Sequence, residues 1–241
     1  GSGHRLVTIF HELYASSSWR GSAFWLQPLQ KRIARAIAQR SAVGIVSSAA
    51  LAASLRQLAP ETRVLVRPVV STFGEPNLSP EEVGERDPQR WVICGGTELI
   101  RRSLRSFPDA GELFVVGGTD TPDIREQLDA AHYLPDVPAA TASGILAKSA
   151  FGWIDYFETV DVPMAAVLKS TTFAAYCAHG VIPVFPAATS AIADGMPGPF
   201  TTANLPSASA RPAVARAIYE WYRAHASSAQ LAATVAEALD S

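Results

Sequence analysis

The sequence predicts an α/β protein made of two doubly wound, Rossmann-like units, each with a parallel sheet. Three observations predict it. Short β-branched, apolar runs alternate with helical segments from the start of the chain. A stretch rich in Pro, Gly and acid, from Ser71 to Gln89, interrupts the alternation. The alternation then begins again and continues to a helical tail.

Taken in order, "RLVTIFHELY" is an apolar run ending in polar residues, as a buried parallel strand does at the carboxyl edge of a sheet, and it places His11 and Glu12 at that edge. "WLQPLQKRIARAIAQR" puts Leu26, Leu29, Ile33 and Ile37 at helical spacing with Arg and Lys between them, which predicts an amphipathic helix over 25–40. "AVGIVSS" reads as a strand, "AALAASLRQLA" as a helix and "RVLVRPVV" as a strand. The aperiodic stretch "STFGEPNLSPEEVGERDPQ" is longer than loops in compact domains and reads as an interdomain linker. Beyond it come strand "RWVICGG", a basic helix through Arg101, Arg102 and Arg105, strand "ELFVVGG" and helix "DIREQLDAA". Helix "AATASGILAKSA", strand "FGWIDYF", helix "STTFAAYCAHG" and strand "VIPVF" follow, and the tail is helical from Pro212. The expected division is 1–72, a linker at 73–88, a second unit at 89–211, and C-terminal helices at 212–241 returning to the first unit.

At 241 residues and 48% hydrophobic content the chain can bury a sizeable core. A formal charge of -2 gives no general attraction to nucleic acid or anionic lipid, so any anion site has to be local and nucleic acid is not an expected partner. Cys94 and Cys177 are far apart in apolar contexts, which suits buried thiols in a reducing, cytoplasmic compartment. No apolar run approaches the ~18 residues of a membrane span, and the N-terminus lacks a signal-peptide pattern. Gly1-Ser2-Gly3 reads as a cloning scar, and the entry into a strand directly after it is abrupt. Trp19, Phe24 and Trp25 form an aromatic cluster whose default reading is a packed core.

Several residues could carry chemistry. Two Gly-Gly doublets, Gly95-Gly96 and Gly117-Gly118, follow strands, where glycine permits a tight βα turn or a close approach of backbone to ligand. Arg101 and Arg102 stand near the start of the helix after the first doublet and suit either a diphosphate or a solvated helix face. Lys169, Ser170, Thr171 and Thr172 open another helix. Capping explains the hydroxyls but leaves the cation unexplained, so the group favours a phosphate cradle. His11 with Glu12 is either a capped strand end or a pair for a sugar hydroxyl or acid-base work. His132, His179 and His225 show no metal-ligand spacing, and no metal is expected. No G-x-G-x-x-G, P-loop or G-x-S-x-G string occurs, which disfavours a nucleotide-binding oxidoreductase and removes two common enzyme classes.

In this order the segments resemble the GT-B glycosyltransferases, above all the retaining group-one type of bacteria. "FHELY" is similar to the acceptor-side loop, "RVLVRPVVSTFGEP" to the run into the linker, and "WVICGG" with the following Arg to the first βα loop of the donor domain. "YLPDVPAATASGILAKSAFGWIDY" resembles the stretch whose helix presents its end to the nucleotide. "KSTTFAAYCAHGVIPV" resembles the donor-site helix and strand, and "AIYEWYRAH" the closing helix. The resemblance implies a GT-B-like fold whose first unit is incomplete, since that domain has several strands before "RLVTIF". It also implies transfer of a sugar from a nucleotide diphosphate sugar to a glycan or small-molecule acceptor with retention, with no cofactor beyond that donor. The implied catalytic residues are His11, Arg101 and Lys169; the donor diphosphate falls to Gly95, Gly96, Arg102, Ser170, Thr171 and Thr172, and the acceptor to Glu12. One departure stands out: the group's second donor-helix Glu is replaced by Ala175, and no Glu lies between Thr159 and Tyr219. A non-catalytic nucleotide- or sugar-binding module is therefore the alternative expectation.

Overall fold

A computed structural model of the chain describes residues 5–14, 22–128, 132–157 and 162–240. It divides into two compact units, one of residues 1–69 with 228–241 and one of 70–227. The divisions fall at 69/70 and 227/228, where the sequence suggested 72/73 and 211/212. The segment read as a linker therefore belongs to the second unit.

The first unit holds a parallel sheet of β1 (Val7–Phe10), β2 (Val43–Val46) and β3 (Arg63–Val66), in that order. α1 (Ser22–Arg40) and α2 (Ala49–Leu58) are its crossover helices. Ser48 caps α2 by accepting the Leu51 amide, which satisfies one of the donors a helix start leaves unpaired. One cluster packs Phe10, Leu13, Ala38, Val46, Ala52 and Leu55 together. α9 (Ser228–Asp240) closes the other side, setting Leu231, Val235 and Ala238 against Val43 and Ile45. Its Thr234 hydroxyl accepts from Arg67 Nε at 2.9 Å.

α1 forms where its apolar period predicts, but the stripe of Leu26, Leu29, Ile33 and Ile37 is exposed, and Trp25 is 72% exposed rather than packed in a core. The small residues Ala34 and Ala38 are the ones buried, because a helix lying close to its neighbours has room for methyl groups there and not for longer chains. Trp19 and the Phe24 side chain lie outside the described residues.

The second unit holds a five-stranded parallel sheet in the order β6 (Tyr133–Leu134), β5 (Glu112–Val116), β4 (Asp87–Cys94), β7 (Ser149–Trp153), β8 (Ile182–Val184). The chain starts in the middle, runs outward through β5 and β6, and returns to the other side of β4 for β7 and β8. In such an order the crevice for a ligand opens at the carboxyl ends of the two strands where the winding reverses, here β4 and β7. The helices are α3 (Pro80–Gly84), α4 (Thr97–Ser106), α5 (Pro122–Arg125), α6 (Ala139–Leu146), α7 (Thr171–Ala178) and α8 (Arg211–His225), with a 3₁₀ turn at Met164–Lys169. The helix expected over "DIREQLDAA" is only the four residues of α5, and 129–131 lie outside the described residues. The C-terminal helices are α8, which belongs to the second unit, and α9, which belongs to the first.

The core under the second sheet is aromatic. Trp91 and Phe151 stack at 4.7 Å between centroids on one face, and Tyr176 is fully buried on the other, the face to which Gly152 points. Gly152 makes room for the Tyr176 ring, because a Cβ there would fall 2.6 Å from it. At the amino edge of this sheet, Arg86 donates to the carbonyls of Val83, Leu146 and His179, the last at 2.8 Å. These carbonyls end α3, α6 and α7, where unpaired acceptors and the negative dipole end favour a cation.

Candidate functional site at the carboxyl edge of the second sheet

β4 and β7 stay paired as far as Val92 opposite Gly152 and then part. α7 occupies the opening, and two of its side chains, four residues apart and so on one face, hold the last residue of β4. Thr172 Oγ1 donates to the Cys94 carbonyl at 3.1 Å. The Tyr176 hydroxyl accepts the Cys94 amide at 3.1 Å and lies 3.0 Å from the Trp153 carbonyl and 3.1 Å from that of Val92, to one of which it donates. Burial pushes the Cys94 thiol up to about 12, and it raises the Tyr176 phenol well above its ordinary value. Both groups stay neutral at physiological pH and serve as anchors rather than nucleophiles.

This anchoring sets the start of α7 beside the turn after β4. Gly95 has φ of +130°, and a Cβ on it would meet Thr172 Oγ1 at 2.5 Å, so the position needs glycine twice over. Its amide donates to the Val116 carbonyl at 3.2 Å. Gly117, with φ of +91°, brings the second doublet against the first, its notional Cβ 3.0 Å from the Gly95 carbonyl. Gly96 then caps α4 with no side-chain hydrogen bond and with open space where a Cβ would stand.

The three hydroxyls divide their work. Ser170 is buried and caps α7, accepting the Phe173 amide at 3.3 Å. Thr172 is buried on Cys94, and Thr171 is exposed at the first helical position. Lys169 closes the 3₁₀ turn directly ahead of the cap and is half-buried. The sequence brings Gly95, Gly96, Lys169, Ser170, Thr171 and Thr172 to one sheet edge.

Arg101 and Arg102 lie in the second turn of α4. The Arg101 guanidinium is held by Asp123, with Nε to Oδ2 at 2.6 Å and Nη2 to Oδ1 at 3.0 Å, and by Glu98. These bonds raise the arginine further and hold the Asp123 carboxyl well below the usual carboxylate range. Arg101 clips α4 to α5, and reaching a diphosphate would require it to exchange carboxylates for phosphate. His11 and Glu12 are exposed at the end of β1 in the first unit. Among the described residues no group of three or more His, Cys, Asp or Glu could hold a metal ion, and no helix is long and apolar enough to cross a membrane.

No family model matches the sequence, and no curated protein matches it. Solved structures do. HepE of Anabaena, in complex with UDP and glucose, is similar with a TM-score of 0.60 at 13% identity, covering 98% of this chain and 72% of HepE. Sucrose-phosphate synthase of Thermosynechococcus elongatus is similar with a TM-score of 0.57 at 13% identity, covering 96% of this chain and 66% of the synthase. TarM follows with a TM-score of 0.50 at 8% identity, covering 90% of this chain and 44% of TarM.

The fold is GT-B. Gly95, Gly96 and the start of α7 stand at the carboxyl edge of this sheet, the edge at which open parallel sheets in general take ligands. The anchor that places α7 there, Tyr176, carried no sequence signal beyond its spacing of four from Thr172. That pairing could have been read as one helix face carrying two hydroxyls.

Proposed function

We propose that the chain is a glycosyltransferase, taking a sugar from a nucleotide diphosphate donor and passing it to a glycan or small-molecule acceptor with retention. One observation carries the reading. The bare, glycine-capped start of α4 and the start of α7, with Lys169 and Thr171, converge at the crevice where β4 and β7 part. Two helix starts offer amides and positive dipole ends to an anion, and Lys169 adds a full charge.

In the proposed reaction the bond from the anomeric carbon to the diphosphate oxygen breaks, and negative charge grows on the leaving diphosphate. The α4 and α7 amides, Ser170, Thr171, Lys169 and Arg102 stabilise it, and Arg101 keeps α4 in place through Asp123. The departing oxygen takes the acceptor's proton on the same face, so no protein nucleophile is required. His11 is assigned a catalytic role, and Glu12 is assigned to the acceptor. The two buried free cysteines suit a reducing compartment such as the cytoplasm.

A second reading, a binding module without transfer, is favoured by one feature: α7 carries no carboxylate, with Ala175 where the group-one resemblance expects Glu. Calorimetry with a panel of nucleoside diphosphates tests both. Lys169→Ala is expected to weaken the best ligand about tenfold or more, the scale of one charge-assisted contact. Unchanged affinity would overturn the site. Binding with neither hydrolysis nor transfer of the matching sugar donor would select the module.

A further inference from the structure

At the opposite, amino edge of the second sheet lies a cavity of about 150 Å³. Pro88 of β4, Ala150 of β7 and Ile182 of β8 form its floor, and Pro212 and Ala215 of α8 form one wall. Two cations line it, Arg86 and Arg211, and no carboxylate does.

Neither guanidinium is saturated. Arg86 spends three of its five N–H groups on helix-end carbonyls, and Arg211 spends Nε on the Pro206 carbonyl at 3.2 Å while lying over the Phe151 ring at 5.3 Å. Among the described residues neither makes an ion pair. The carboxylate that acts on Arg86 is Glu82, whose Oε2 is already held by the Ser79 amide at 2.8 Å in the cap of α3. Glu81 is exposed and lies within the field of Arg216. Burial lowers Arg86 to about 10, which leaves it charged at neutral pH. Two cations beside apolar walls, neither bonded to a carboxylate among the described residues, favour a ligand that brings both an anion and an apolar body. An apolar cavity of about 150 Å³ is large enough for benzene.

We propose that this cavity binds a small organic oxyanion, a carboxylate or phosphate on a compact apolar body, whose oxygens meet Arg86 and Arg211. The site is separate from the nucleotide edge and does not depend on the reading given above.

Benzoate and inorganic phosphate are the probes, titrated into the full chain by calorimetry and ligand-observed NMR, with benzyl alcohol as the neutral control. Benzoate is expected to half-saturate at or below about 1 mM, and benzyl alcohol at least tenfold higher. Arg211→Ala removes one cation, and Ala208→Phe fills the exposed rim without disturbing the core. Each is expected to weaken the bound anion at least tenfold, while the thermal midpoint shows both variants folded. Anion binding lost in both variants upholds the site, with phosphate or benzoate as the stronger ligand naming the head group. No saturable binding of either anion, or binding unchanged in both variants, overturns it.

Discussion

Cys94 has both main-chain polar groups taken by side chains of α7, its carbonyl by Thr172 and its amide by Tyr176. The amide lies where β4 has lost β7 as a partner, so without the phenol it would be a buried donor with nothing to bond. Tyr176→Phe keeps the ring that Gly152 accommodates and removes only the hydroxyl. The expected cost is about 1–3 kcal/mol, the penalty for an unsatisfied buried group, read as a lower urea midpoint with unchanged slope. An unchanged midpoint would show that the hydroxyl is not what holds the parted strands. At this scale Gly95 and Ser170 were legible in the sequence, since a strand-ending glycine and a helix-opening hydroxyl are local signals. Tyr176 was not, because its role comes from strands 84 and 23 residues away along the chain. For Arg101 the sequence could not distinguish a phosphate ligand from a clip, as Asp123 becomes its partner only once α4 and α5 stand side by side.

At the scale of elements, the stretch read as a linker is held down by α8. Tyr222 donates to Glu75 Oε1 at 2.6 Å and accepts the Ser71 amide at 2.8 Å. Tyr219 donates to the Pro76 carbonyl at 2.9 Å and accepts the Leu78 amide at 3.1 Å. Burial, followed by the bond to Glu75, raises the Tyr222 phenol far above its ordinary value, so it remains a donor at any physiological pH. An extended segment rich in Pro makes few bonds of its own, and these two phenols supply partners for its backbone. The double change Tyr219→Phe, Tyr222→Phe is expected to speed amide exchange across 71–78 about tenfold or more, and to expose a new protease cut there while the sheet stays protected. Equal exchange rates would mean that the segment is held by other contacts. The same stretch hides α3, which the linker reading missed although Ser79 and Glu82 form a capping box, each bonding the other's amide, with Pro80 at the first helical position. Strands such as β4 and β5 were readable from their apolar runs. β6, two residues long, has no period to read, and its pairing with β5 defines it.

For the whole molecule, the informative titratable group is His179, fully buried at the end of α7. Its Nδ1 lies 2.7 Å from the Ala175 carbonyl and its Nε2 lies 2.8 Å from Ser143 Oγ. A carbonyl can only accept, so Nδ1 carries the proton and Nε2 takes the hydroxyl of Ser143, which fixes the neutral ring. Burial pushes its pKa down to about 4, Arg86 adds to the effect, and the Ala175 carbonyl opposes it. In the unfolded chain the ring titrates near 6.5. Between these values the unfolded state binds a proton that the folded state refuses, so stability is complete above about pH 6.5 and falls as the pH drops toward 4. At pH 5 the loss relative to neutral pH is about 2 kcal/mol from this residue alone. His179→Gln, which keeps a donor and an acceptor, is expected to be less stable at pH 7 but to lose less than wild type between pH 7 and pH 5. The transition of the second unit, followed by urea unfolding with hydrogen exchange at β4 and α7, reads the difference. If wild type and variant lose the same stability over that interval, the acid sensitivity resides elsewhere, and a charged His179 must find a partner that the neutral ring does not have.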